Sequence, residues 1–206
     1  MRSLTLSRFT GEGLKLASVA TDIFTIGHSN HPAGHFLSLL GRHGITALAD
    51  VRTTPYSRFN PQFRRESLAA HLQAAGIAYV FLGEELGGKR QGVTQDEIAR
   101  SDSFRRGLQR LREGAERYRV AFMCAEREPL DCHRTILVAR HLKSSGLAIR
   151  HILADGRIEE HESVERRLVE QTGQAPPPLM ANDPRAWAEA VERAYEQRAR
   201  DWFKTP

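Results

Sequence analysis

Short apolar runs alternate with longer amphipathic segments from Asp22 to about residue 153, and this alternation narrows the possible folds more than any other feature of the chain. Runs of five to seven residues rich in β-branched and aromatic side chains read as strands, and segments with apolar residues three and four apart read as helices. Asp22–Ile26, Thr46–Val51, Ile77–Leu82, 119–124 and 147–153 are the apolar runs. Between them, Pro32–Arg42, Ser67–Ala75, 95–117 and 133–144 read as helices, and Gly83–Gly92 as a glycine-rich loop. In the first helix Pro32 suits the opening turn, Phe36, Leu37, Leu39 and Leu40 face inward, and Gly41 and Gly44 mark the exit. Strands apolar along their whole length need cover on both faces, and parallel pairing needs crossovers of about this length. The expected fold is therefore α/β: three layers, with a mainly parallel sheet of about five strands, helices on both faces and a C-terminal helix.

Residues 1–21 read as a poorly ordered segment, 22–172 as the α/β domain, 173–184 as a proline-rich linker and 185–206 as a terminal helix. The linker, GQAPPPLMANDP, is incompatible with regular structure. Asp183 caps the terminal helix and Pro184 opens it; its stripe of Trp187, Ala190, Val191, Ala194 and Tyr195 packs on the domain or on a second subunit, which makes this helix the expected route to a homo-oligomer. At 206 residues, 40% hydrophobic and 27% charged, the chain has the size and composition of a soluble domain with a buried core. No run approaches a membrane span and no signal-type stretch opens the chain, so the expectation is a cytoplasmic protein with no membrane partner and two cysteines kept as thiols. Thirty basic against 25 acidic residues leave a net charge of +5, which favours phosphate-bearing partners.

Side chains able to do chemistry gather after the strands, on the edge where open α/β sheets bind ligands. Gly27-His28-Ser29-Asn30 follows the first strand. Asp50-Val51-Arg52 ends the second and leads to Pro55-Tyr56-Ser57-Arg58-Phe59. Leu86-Gly87-Gly88-Lys89-Arg90 follows the third, with Gly87 and Gly88 able to bring backbone N–H groups to a ligand. His151 opens a fifth cluster, HILADG. Asp50 and Arg52, alternating at a strand end, are expected on opposite sides of the sheet.

The richest segment runs from Cys124 to Arg134 and holds both cysteines, separated by seven residues, with Glu126, His133 and Arg134 beside them. Asp131 is the expected N-cap, placing Cys132, His133 and Arg134 in the first helical turn. A thiol there is acidified by the helix terminus and the adjacent cations, giving a nucleophilic thiolate. Cys124 ends a buried strand, where cysteine usually serves as a small hydrophobe. Cys124, Cys132, His133 and His28 also form a conceivable zinc ligand set, although the C-x7-C-H spacing matches no standard zinc module.

Together, GHSN at 27–30, DVR at 50–52 with Pro55 and Ser57-Arg58, LGG at 86–88, CAE at 124–126, CHR at 132–134 and HI-x-x-DG at 151–156 resemble domain-of-unknown-function family 488, an uncharacterised bacterial and archaeal family, over roughly residues 22–165. The resemblance implies an α/β domain with a shared site and carries no reaction. A looser similarity joins Asp50-Val51-Arg52 and Cys124 to rhodanese-type domains, where a DVR strand precedes a strand ending in the sulfur-carrying cysteine. Here the loop after Cys124 is acidic, contains Pro129 and holds a second cysteine.

The leading expectation is an enzyme, a thiol-dependent transferase or hydrolase, acting on a nucleotide or nucleic acid. Arg52, Arg58 and Arg134 hold phosphate, His28, Ser29, Ser57, Gly87, Gly88 and His151 complete the binding edge, Cys132 or Cys124 supplies the thiolate, and Glu126, Asp50 or His133 moves protons. No cofactor is required, zinc being the exception weighed above. The alternatives are a non-catalytic nucleic-acid-binding module, a rhodanese-like sulfur carrier and a metal-binding protein.

Overall fold

The computed structural model describes residues 22–88 and 92–204. The N-terminal segment 1–21, read above as poorly ordered, and Lys89 and Arg90 of the third cluster lie outside the described residues.

Six strands form one sheet: β1 (Asp22–Gly27), β2 (Ala47–Asp50), β3 (Ala78–Phe81), β4 (Val120–Cys124), β5 (Ala148–Ile152) and β6 (Ile158–Glu160). Their order is β3-β2-β4-β1-β5-β6; all neighbours are parallel except β6, which runs antiparallel to β5 at the edge. β6 was not among the expected strands, because its three residues, Ile158-Glu-Glu, carry almost no apolar signal. Leu153–Arg157 returns the chain to form it, with Gly156 at φ 85°, a left-handed value that glycine adopts without steric cost.

The helices are α1 (Ala33–Arg42), α2 (Arg65–Ala74), α3 (Gly83–Leu86), α4 (Gln95–Arg100), α5 (Asp102–Ala115), α6 (Arg140–Lys143), α7 (His161–Gln171) and α8 (Pro184–Lys204), with a π-helix at Arg134–Ala139 running into α6. The expected loop at 83–92 opens with the turn of α3, and the expected helix over 95–117 breaks at Ser101, whose hydroxyl accepts the Phe104 N–H and caps α5. A single 3₁₀ turn, Pro178–Met180, interrupts the linker.

The two sheet faces are covered differently. Phe36, Leu39 and Leu40 of α1 and Leu68 and Leu72 of α2 pack with Phe24, Leu48, Ala121 and Met123. On the other face Leu86, Phe104, Leu111 and the π-helical Leu137 and Val138 pack with Ile23, Ala49, Phe122 and Cys124. After β1 the chain leaves on the first face towards β2; after β4 it leaves on the second face towards β5. β1 and β4 are neighbours in the sheet, so their connections diverge and open a crevice at their C-terminal ends, the topological switch point of the sheet. A third core joins α7 and α8 to the π-helix through Leu130, Ile136, Val164, Leu168, Ala190, Ala194 and Tyr195. No helix among the described residues is long and apolar enough to cross a membrane.

Candidate functional site

Strand register sets the site. Gly27 pairs with Cys124 and Asp50 with Met123, so three strands end almost level and their following loops share one rim. A cleft of about 440 Å³ opens there, lined by His28, Ser29, Arg52–Thr54, Tyr56, Ser57, Asn60, Cys124–Glu126, His133 and Trp202. The loops after β1 and β4 stay paired beyond the strands: the His28 N–H donates to Cys124 O at 2.9 Å and the Ser29 N–H to Ala125 O at 2.8 Å. Ser29 is the one non-glycine residue with positive φ among those described, at 48°. A residue held in that region is stored strain, which clusters at ligand sites.

Asp50 and Arg52 lie on the same side, not on opposite sides as expected. Alternation places neighbours on opposite faces and residues two apart on the same one. The Arg52 guanidinium donates to both Asp50 oxygens, from Nε at 2.9 Å and Nη2 at 2.6 Å, and the Tyr79 hydroxyl donates to Asp50 Oδ2 at 3.0 Å. Asp50 is fully buried beneath this pair and does not line the cleft. Arg52 Nη1 reaches His28 Nε2 at 3.2 Å, so His28 accepts there and its Nδ1–H donates to Ser29 O at 2.7 Å. Burial, and then the Arg52 charge, lower the His28 pKa to about 4, which keeps this ring neutral and stacked on Phe63. Arg52 is thus fixed in place with guanidinium N–H groups left over for a ligand.

The floor is built from the loop after β4 and the start of the π-helix. Cys132 has extended dihedrals, its carbonyl accepts the first helical N–H bonds and its sulfur accepts the Arg134 N–H at 3.4 Å. Cys132 is therefore itself the N-cap; Asp131, expected in that role, points outward to Arg198. Cys124 Sγ and Cys132 Sγ lie 3.5 and 3.9 Å from His133 Nδ1, and Cys132 Sγ lies 2.9 Å from Glu126 Oε2. Nε2 of the same imidazole donates to Val51 O at 3.0 Å.

Burial pushes the Cys124 thiol well up, and the adjacent Cys132 adds to this. Burial also opposes ionisation of Cys132, but the Cys124 hydrogen bond, the Arg134 charge and the His133 interaction outweigh it and hold this thiol well below its usual range. Burial disfavours the charged form of His133; its bond to Cys132 and the Cys132 and Glu126 charges reverse this and raise the ring. Glu126 is raised by burial first and by Cys132 second. These four groups share protons at short range, which suits acid–base work, nucleophilic sulfur chemistry or cation binding.

The other expected site residues lie as follows. Ser57 lines the cleft, while Arg58 is exposed beside it with its guanidinium 4.8 Å from the Phe59 ring. Arg134 is fully buried and donates to Glu126 O and Arg127 O, where it braces the loop and does not face the cleft. Gly87 and Gly88 are packing contacts: a Cβ on Gly88 would stand 2.4 Å from the His133 ring, and one on Gly87 2.7 Å from the Thr53 hydroxyl. His151 sits away from the cleft, 2.8 Å from Thr25 Oγ1 and 3.0 Å from His161, which lies 3.2 Å from the Tyr195 hydroxyl. Of the conceived zinc set, Cys124, Cys132 and His133 come together; the fourth neighbour is Glu126 rather than His28.

Sequence reasoning missed Trp202 and Tyr79. Trp202 comes from the last turns of α8, and its ring lies 6.0 Å from that of His133. Neither residue stands near a chemical motif in the sequence; only strand pairing and the docking of α8 bring them to the site.

The family model for Domain of unknown function DUF488 matches residues 33–141 of the 206. That is more than half of the chain, and the chain belongs to this family. The match holds Asp50, Arg52 and the whole Cys124–Arg134 segment; it is shorter than the 22–165 expected, leaving out His28 and His151. No curated protein and no solved structure matches the chain.

Proposed function

For this member of the DUF488 family, we propose an enzyme of hydrolase or transferase class whose substrate is a nucleotide bound in the cleft over Cys124, Glu126 and His133. One observation carries the reading: a fixed guanidinium, hydroxyl and amide donors, two aromatic rings and a proton-sharing cluster meet in a single crevice of nucleotide size. Arg52, held by Asp50, supplies N–H groups to phosphate oxygens, and Ser57, Asn60 and Thr54 supply neutral donors. Tyr56 and Trp202 give a base two faces on which to stack. Arg64 lies over the Tyr56 ring at 4.8 Å, adding positive charge at the mouth. Glu126, raised by burial and then by Cys132, is the least buried member of the proton-sharing cluster and lines the cleft, so it is the proton carrier of this reading.

The test is calorimetric titration of the protein with inorganic phosphate and with nucleoside monophosphates. Arg52→Lys keeps a cation against Asp50 and loses the planar fork; it is expected to weaken both ligands about tenfold. Tyr56→Ala is expected to weaken the nucleotides about tenfold and leave inorganic phosphate unchanged, because stacking is worth about 1–3 kcal/mol per base. A wild-type protein that binds none of these at millimolar concentration would sink the reading.

A further inference from the structure

We propose that Cys124, Cys132 and His133 are the ligands of one zinc-class divalent cation at the floor of the cleft, with its fourth vertex open beside Glu126. The metal site stands on its own geometry; only its placement under a substrate rests on the nucleotide reading.

Distances come first. Zinc binds thiolate at about 2.3 Å and imidazole nitrogen at about 2.0–2.1 Å, so a tetrahedron places sulfur and nitrogen about 3.5 Å apart. Nδ1 of His133 stands 3.5 Å from one sulfur and 3.9 Å from the other, and the donor atoms of Cys124, Glu126, Cys132 and His133 all fall within 4.8 Å of one another. A cation fits at their centre with side-chain adjustment alone.

The orientation of the imidazole is the second, independent observation. A metal-bound histidine typically donates its far N–H to a carbonyl or carboxylate, which fixes the tautomer and aims the other lone pair at the metal. His133 does this: Nε2 is tied to Val51 O at 3.0 Å and Nδ1 faces the two sulfurs. The Cβ of Gly88 is missing where it would strike this ring, so the backbone itself holds the ring in place.

Charge is also provided for. Two thiolates with a divalent cation are neutral overall, and Cys132 Sγ already accepts a backbone N–H from Arg134, the kind of contact that supports sulfur as an anion. Thiolate and imidazole donors favour zinc over magnesium or calcium, which take oxygen ligands. Cys124, Glu126 and His133 line the cleft whereas Cys132 lies behind them, so the open vertex faces the ligand space. A closed structural site would have no such face. The three ligands come from two places, the end of β4 and the cap of the π-helix; all three belong to the set conceived from the sequence, and only His28 drops out of it.

The experiment is to load the full, reduced chain with zinc, desalt it, and count zinc by elemental analysis. In parallel, cobalt is added to the metal-free chain and its near-ultraviolet thiolate-to-cobalt absorption is recorded. One zinc per chain and a charge-transfer band with tetrahedral visible absorption are expected. Cys132→Ser and His133→Ala are expected to lower zinc affinity at least about a hundredfold, and Glu126→Gln to keep full stoichiometry. No retained zinc and no cobalt band in the wild type would overturn the site, a result that does not depend on whether any variant folds. Undiminished zinc binding in both ligand variants would overturn the ligand assignment, and loss of zinc in Glu126→Gln would overturn the open vertex. Nucleotide titration of the same preparations separates the two readings: zinc retained without nucleotide binding removes only the nucleotide, and nucleotide binding by a chain that retains no added zinc removes only the metal.

Discussion

Gly27 shows how closely the candidate site depends on single atoms. A Cβ there would stand 1.9 Å from the Glu126 carbonyl oxygen and 3.1 Å from Arg134 Nη1, so the turn carrying Glu126 can lie flat on β1 only if residue 27 has no side chain. Gly27→Ala is expected to cost about 3 kcal/mol by overpacking and to displace Glu126, read as a lower urea midpoint together with a loss of cleft ligand binding. Glycine at the end of a strand was visible in the sequence; the carbonyl that requires it was not, because it lies 99 residues away, at position 126. The same division holds for Asp50 and Arg52. Their chemistry was legible and their pairing was not, since it depended on counting strand alternation by two. Of the fourteen residues expected at the site, seven line the cleft (His28, Ser29, Arg52, Ser57, Cys124, Glu126 and His133) and seven do not. Arg134 and His151 were read by type alone, and full burial turns one into a brace for the loop and the other into part of a separate network.

Among the elements, the five longer strands were legible because each lies in a mostly apolar run between turn signals, whereas β6 and α7 were not: β6 has three residues, and α7 (HESVERRLVEQ) buries its apolar side chains among many charges. The helix after Cys132 was expected as ordinary α-helix. Over Arg134–Ala139 it is wound wider, the Arg140 N–H reaching Thr135 O five residues back, and no composition rule announces such a turn. α8 was legible as a helix, but its docking on α7 follows from contacts that no local pattern encodes. The Tyr195 hydroxyl, buried between His161 Nε2 at 3.2 Å and Glu165 Oε1 at 3.3 Å, is the polar centre of that contact. Tyr195→Phe leaves both partners short of a hydrogen bond and is expected to destabilise the fold by about 1–2 kcal/mol, measured as a shift in the urea midpoint with unchanged slope.

For the molecule as a whole, buried neutral imidazoles govern the response to acid. His28 and His161 are both lowered to about 4 by burial, followed for His28 by the Arg52 charge and for His161 by the Lys143 charge. The unfolded chain binds their protons at a pKa near 6.5 and the folded chain does so only near 4. Their contribution is therefore complete above about pH 6.5 and is lost as pH falls towards 4, about 3 kcal/mol for each ring. Glu165, raised first by burial, works in the opposite direction and reduces the net loss. Urea midpoints are expected to fall steadily between about pH 6.5 and 4 and to fall less in His161→Gln; equal slopes in the two proteins would contradict this. Trp202, at the far end of α8, carries a consequence for the chain as it is made. It follows Cys132 by 70 residues (202 − 132), which at about 5–20 residues per second is about 4–14 s of synthesis. For that interval the loop after β4 has been made without the indole that lines the cleft beside His133, so the order of synthesis leaves the closing wall of the cleft until last.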